Sequence, residues 1–476
     1  MNPRPNLRCA GRSVMLCAAV SLAACGTAED PSHLTVTLDT GVAHQTLAGF
    51  GAATAYQANL LSARGDDKAL YQLLFVDSGL DILRLGNWYQ NQGPNTTPSS
   101  PFTDQSAVQI VERATAARGG TPPKILMSSW TPPAYLKSNG VTQPPYGSGD
   151  TIPAGTLIQK DGGYAYADYA DWWVRSLQAY AAQGIVPDYV SMQNEPDFFT
   201  RYWETCVFGA TEGAPVEGVP AAGYGQALNA LSNGIQAAGL AAPPILLGPE
   251  TTGFTNSVVQ RYANGMNAGQ VGAVAHHLYG VTGDNPSADS FNGGLRDVAR
   301  TAATLGLPAF MTEYSPNAPT MFDTALLINN AVTEGNASAY LYWELIWNDA
   351  NPQTGLVSVS GASPNAPFTV NDIFHALKHF ARWTDPGWVR VDAKVSGSSV
   401  RASAFASPDG SSVTLVLLNT DSRDHFVTVE PGGFSFSQLE VHRTSGDSER
   451  TSLVPLESDG TVALPPRAVA TVTLTR

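Results

Sequence analysis

VSMQNEPDF, residues 190–198, ends an apolar run on Asn194, Glu195 and a proline. Proline disfavours the helical region for the residue before it, so Glu195 is expected on extended backbone at the very end of a strand, where a carboxylate can face a cleft. A lone glutamate is usually an ordinary solvated residue. The weight of this one comes from its context along the chain.

Seven further short apolar runs share its texture: GFGAATA (49–55), DILRLGNW (81–88), KILMSSW (124–130), PILLGPE (244–250), VGAVAHHLY (271–279), PAFMTEY (308–314) and ASAYLYWELIW (337–347). Each is nearly continuous rather than alternating, as expected for parallel strands covered on both faces. Between them lie helix-like segments at 69–79, 107–120, 166–184, 225–239, 295–306 and 325–336, several closed by glycine. Eight alternations of strand and helix fit an α/β fold, a (β/α)8 TIM barrel with insertions. A doubly wound open sheet is the alternative, but no glycine-rich phosphate turn follows an early strand. Long rim loops are expected at 91–102, 141–155 and 209–223.

After Trp383 the pattern becomes alternating and rich in Gly, Ser, Asp and Pro, from WVRVDAKVSG (388–397) to VALPPRAVATVTL (462–474), which reads as a smaller antiparallel β-sandwich side domain. HLTVTLDTG (33–41) alternates in the same way and is expected to pair into it. The division is therefore a leader at 1–25, an N-terminal strand at 26–45 joining the sandwich, a barrel at 46–383 and the sandwich at 384–476.

The chain has 476 residues, 43% hydrophobic and 14% charged, with a formal net charge of -14. No basic stripe is available to neutralise phosphates, which argues against nucleic acid as a partner. Arg4, Arg8 and Arg12 precede VMLCAAVSLAA (14–24), too short to span a bilayer, and LAAC (22–25) resembles a bacterial lipobox. The expectation is export, with Cys25 lipidated and the protein held at the outer membrane or cell surface; otherwise it is secreted or periplasmic. The membrane is then touched only through the lipid anchor. Cys9 and Cys17 leave with the leader, so Cys206 alone remains and no internal disulfide is possible in a mature monomer.

In barrels the reactive groups gather where strands end, so the polar residues closing each run matter most. They are Arg84, Asn87, Trp130, Asn194, Glu195, Glu250, His276, His277, Tyr279, Glu313, Trp343 and Glu344. Glu195 and Glu313 close the fourth and seventh runs and can face each other across one barrel mouth. Two opposed carboxyls, one protonated and one ionised, with aromatic rings around them, are what glycosidic bond cleavage needs. Trp130 and Trp343 suit stacking on sugars, with Trp88, Trp203 and Trp347 as outer candidates. His276 and His277 point to opposite faces of a strand, so at most one enters the mouth and a metal pair is not expected. Glu250 and Glu344 either line the cleft or stabilise loops.

QNEPD (193–197), SSWTPPAYLK (128–137), HHLYG (276–280), FMTEYS (310–315) and YLYWE (340–344) resemble the strand-end motifs of glycoside hydrolase family 30, its bacterial xylanase branch most. The likeness runs in order from Gly49 to the end. It implies a retaining double displacement with Glu195 as general acid and base and Glu313 as nucleophile, the carboxyls about 5 Å apart. Asn194 is implied to bond the hydroxyl beside the reacting carbon, Arg84 and Tyr279 to hold Glu313, and His277 to complete the substrate site; no metal or organic cofactor is needed.

Glucuronoxylan-specific members carry an arginine just after the eighth strand, where this chain has Glu344, Leu345 and Ile346. An acid there would repel a glucuronate, so the expected substrate is xylan cut as an endo-β-1,4-xylanase without strict need for that substituent. Endo-β-1,6-glucanase or glucosylceramidase-like activity of the same family is the alternative, and a non-catalytic lipid-anchored glycan-binding protein the alternative of another class. The protein is expected to act as a monomer.

Overall fold

The computed structural model describes residues 32–476 except 66, 91–103, 144–151, 256, 284, 351–353, 365 and 447–449. The leader, Cys25 and the expected 91–102 loop therefore lie outside the described residues, as does the middle of the 141–155 loop.

All eight apolar runs form strands of one closed parallel barrel: Gly49–Ala53, Ile82–Gly86, Lys124–Ser128, Tyr189–Ser191, Ile245–Gly253, Ala273–Tyr279, Ala309–Glu313 and Ala337–Tyr342. The eighth strand closes on the first, with Ala339 opposite Gly49 and Tyr342 opposite Ala52. The runs are continuous because both faces are covered. Ile82, Leu126, Leu247, Phe310 and Leu341 fill the barrel interior, while Phe50, Leu83, Met127, Val190 and Met311 belong to the larger core that includes the helices. Gly51 is required by close approach, since a Cβ there would meet the Ile82 carbonyl oxygen at 2.0 Å.

The helix Tyr166–Ala181 anchors the fourth strand's end. Its Tyr169 hydroxyl and Trp173 indole both donate to the Met192 carbonyl, at 2.6 and 3.2 Å. The backbone immediately before Gln193 is thus held from outside the barrel. The segment 69–79 is less regular than expected, a short helix Lys68–Gln72 running into a wider turn at Leu73–Asp77. Among the described residues three α-helices lie outside the segments expected from the sequence, Ala58–Ser62, Val258–Ala263 and Asp372–Ala381. Within 209–223, Pro215–Val216 and Val219–Pro220 pair into a small ribbon rather than remaining open loop. Among the described residues no helix is long and apolar enough to cross a membrane.

The C-terminal strands and His33–Thr46 form one nine-stranded sheet around a core that includes Val36, Leu38, Val391, Leu415 and Val472. The N-terminal strand joins it as expected, opposite Val389–Val395. The sheet is not wholly antiparallel, however: the same strand runs parallel to His425–Glu430. A strand that arrives from the N-terminus, with no hairpin to fix its direction, is free to pair either way.

Candidate active site

Beyond Ser191 the chain turns across the barrel mouth, held by hydrogen bonds that it donates to carbonyls at neighbouring strand ends. The Asn194 N–H donates to Ser129 O at 2.7 Å and the Glu195 N–H to Glu250 O at 3.0 Å; Gln193 Nε2 donates to Trp130 O at 2.7 Å. Glu195 consequently adopts φ 49°, left-handed rather than the extended backbone expected before proline. Such a conformation costs on the order of 1–3 kcal/mol and persists only where surroundings over-determine it.

Glu195 and Glu313 do meet. One oxygen of each carboxyl and one His277 nitrogen lie within 4.8 Å of one another. Glu313 accepts from Arg84 Nη1 at 2.6 Å on one oxygen and from the Tyr279 hydroxyl at 3.1 Å on the other. Arg84 also donates to Asn194 Oδ1 at 2.6 Å and to Ser128 Oγ at 3.2 Å, and its Nη2 lies 3.1 Å from Glu250 Oε1. His277 Nδ1 sits 3.1 Å from Glu195 Oε1, and Nε2 lies 3.8 Å from both Glu250 and Glu313.

These contacts separate the protonation states. Burial pushes the Glu195 carboxyl up to about 7; the His277 hydrogen bond pulls it down and the charge of Glu313 adds to the rise. Glu250 is opposite: burial alone would raise it, but the Arg84 charge and His277 hold it down at about 2. Burial disfavours a charged His277 ring, yet Glu313 and the hydrogen bonds to Glu195 and Glu250 lift it to about 10, so the ring stays cationic near neutrality. Glu195, His277 and Glu313 form the one His/Cys/Asp/Glu group among the described residues close enough together to hold a cation.

The carboxyls open into a cleft of about 610 Å³ lined by Tyr56, Trp130, Asn194, Phe198, Trp203, Tyr279, Trp343 and Trp347, with a few small polar residues. Trp343 and Trp347 face the cleft as expected. Trp130 reaches it too, but is 2% exposed and has Arg84 against one ring face at 4.7 Å, so it is an inner wall rather than an open platform. Trp88 stands behind it, their centroids 5.9 Å apart. Arg84 and His277 are wholly buried: Arg84 holds Glu313 from below, and His277, expected to complete the substrate site, sits against the Glu195 carboxyl instead of on the cleft wall. His276 points away from the mouth and stacks on Phe254. Glu250 lies beneath the floor.

Glu344 requires a correction. It is fully buried, its Oε1 accepts from the Tyr56 N–H at 3.1 Å, and burial raises its carboxyl well above the usual range. A carboxyl buried outside the cleft wall meets no glucuronate, so Glu344 does not bear on dependence on that substituent. Tyr56 was missed, although it closes the first apolar run. Its ring is 5.8 Å from each of Trp88, Trp130 and Trp343, and its hydroxyl donates to the buried Glu204 at 2.8 Å. Cys206 is a buried free thiol.

Residues 387–472 match the glycosyl hydrolase family 30 β-sandwich domain. The chain is 24% identical over 429 residues to the endo-1,6-β-D-glucanase of Neurospora crassa, covering 81% of each protein. Its fold is similar to that of the catalytic domain of a family 30 xylanase C from Talaromyces cellulolyticus, with TM-score 0.72, 22% identity and 93% of this chain and all of that one covered. It is also similar to the endo-β1,6-glucanase BT3312, with TM-score 0.66 and 19% identity, over 93% of this chain and 94% of that one.

Proposed function

Because this chain belongs to glycoside hydrolase family 30 and is a glycosidase, we propose that it is a retaining endo-β-1,6-glucanase in which Glu313 is the nucleophile and Glu195 the general acid and base. The observation that carries the chemistry is that one oxygen of Glu195 and one of Glu313 lie within 4.8 Å of each other, which fits the close carboxyl spacing of a double displacement. Glu313, which accepts only from donors, attacks the anomeric carbon and forms a glycosyl ester. Glu195, its carboxyl raised by burial to about 7, gives its proton to the departing oxygen and then, as a carboxylate, takes one from the incoming water.

Two features support the glucan. The Neurospora crassa relative carries that activity in its name and matches over four-fifths of its length. The described cleft wall holds no lysine or arginine, which suits a neutral sugar. Xylan is the second reading, favoured by the sequence motifs. Export with a lipid at Cys25 is part of the proposal, consistent with a polymer met outside the cell.

The test is reducing-sugar release from β-1,6-glucan, xylan and glucosylceramide by the purified protein. Turnover of the glucan at least tenfold above the others is expected; xylan as the best substrate would replace this assignment with the second reading.

A further inference from the structure

We propose that Trp203 and Tyr202, continued inward by Phe198, form a platform for the acceptor side of the substrate, gripping the sugar chain that departs when Glu195 protonates it. The inference rests on the role given to Glu195 above and adds the side of the cleft on which the polymer is held.

The sidedness follows from connectivity. Phe198 belongs to the turn that carries the acid, its N–H donating to Glu195 O at 3.1 Å. The oxygen that receives a proton from Glu195 belongs to the leaving sugar, and the rings that share this loop and line the cleft beside the acid are placed to meet the leaving chain. Phe198 and Trp203 line the cleft, and the centroid steps from Phe198 to Trp203 and from Trp203 to Tyr202 are each 6.3 Å. The row thus runs outward from the reacting centre to the surface. Trp203 is 38% exposed and Tyr202 66%. Large rings left open to water beside a carbohydrate cleft present flat apolar faces of the kind that stack on pyranose C–H faces.

The rings are exposed, but the backbone beneath them is fixed. Lys137, 2% exposed, sends its ammonium to the carbonyls of Thr205 at 2.6 Å and Thr142 at 3.1 Å, tying this loop to the one after the third strand. The Thr205 hydroxyl donates back to Phe198 O at 2.9 Å, and Glu204 is held by Tyr56. A buried cation among backbone carbonyls is an expensive way to hold an idle loop. It is a reasonable way to hold a binding surface in place before the ligand arrives.

The test compares kcat/KM on β-1,6-glucan with kcat/KM on β-glucosyl fluoride, which carries no acceptor sugar. In Trp203→Ala the polymer-to-fluoride ratio is expected to fall about tenfold, carried mainly by KM, with a smaller fall in Tyr202→Ala and recovery in Trp203→Phe. An unchanged ratio, or equal losses on both substrates, overturns the proposal. So does a loss confined to micellar glucosylceramide, which would make the row a lipid contact. If the parent enzyme cuts xylan instead, the same ratio is read on xylan against β-xylosyl fluoride, so a wrong polymer and a wrong platform give different results.

Discussion

Arg84 Nη1 lies 2.6 Å from Glu313 Oε2, and the arginine is entirely shielded from solvent. The same guanidinium faces Glu250 at 3.1 Å, so one buried cation serves two buried acids and neither has another arginine or lysine within ion-pair reach among the described residues.

Replacing Arg84 therefore harms both fold and chemistry. Arg84→Met leaves Glu313 and Glu250 with only the His277 ring, 3.8 Å from each, as a counter-charge, and a loss of about 3–5 kcal/mol in denaturant unfolding is expected. Arg84→Lys keeps the charge but cannot reach Glu313, Asn194 and Glu250 together, so it should fold better than Arg84→Met yet fall at least about a hundredfold in kcat. A lysine variant with parental kcat would show that bridging geometry is unimportant.

The rate on glucan should decline as pH rises through about 7, because Glu195 must hold its proton to act as acid and burial raises it to that value. Glycosyl fluoride needs no such proton, so its rate should lack this alkaline limb. His277 lowers the Glu195 pKa through a hydrogen bond and its charge. In His277→Gln the limb should therefore move to higher pH as overall rate falls; a downward move would contradict the assignment.

Acid should loosen the join between the helix Asp372–Ala381 and the sandwich. His379 is buried with its ring nitrogens 2.8 Å from Thr471 Oγ1 and 2.9 Å from Thr444 Oγ1, and burial takes it down to about 3. A depressed folded pKa gives stability that is complete above the unfolded value near 6.5 and is lost as pH falls towards 3. Between pH 6.5 and 5 this group alone should remove about 2 kcal/mol. His379→Gln, compared by melting at both pH values, should lose correspondingly less; an identical pH slope would exclude His379 as the cause.

Tyr56→Phe removes the donor to Glu204, a buried carboxyl. A cost of about 1–3 kcal/mol is expected, with the ring's contacts to the tryptophans retained. Tyr56→Ala should in addition raise KM, since it opens the cleft wall, and equal KM in the two variants would argue against a wall role.

The barrel was legible because its parallel strands, covered on both faces, leave unbroken apolar runs whose final polar residues mark the mouth. That logic reached Arg84, Glu195, Tyr279 and Glu313. It also applied to Tyr56, which closes the first run and was passed over. What sequence could not convey was set by other strands: the left-handed turn at Glu195 depends on the carbonyl of Glu250, and the burial of Glu344 on the chain returning beneath Tyr56. The parallel ladder between residues 33–37 and 426–430 is equally long-range. Burial below the floor, rather than residue type, separates Arg84 and His277 from the residues that face a sugar.

The most direct test of the central claim is to trap the intermediate with 2-deoxy-2-fluoro-β-glucosyl fluoride and locate the sugar by peptide mass. One glucosyl ester is expected, on Glu313, formed far more slowly in Arg84→Lys. An ester on Glu195 or Glu250, or no ester in an enzyme that releases the α-anomer first from a β-linked glucan, would contradict it.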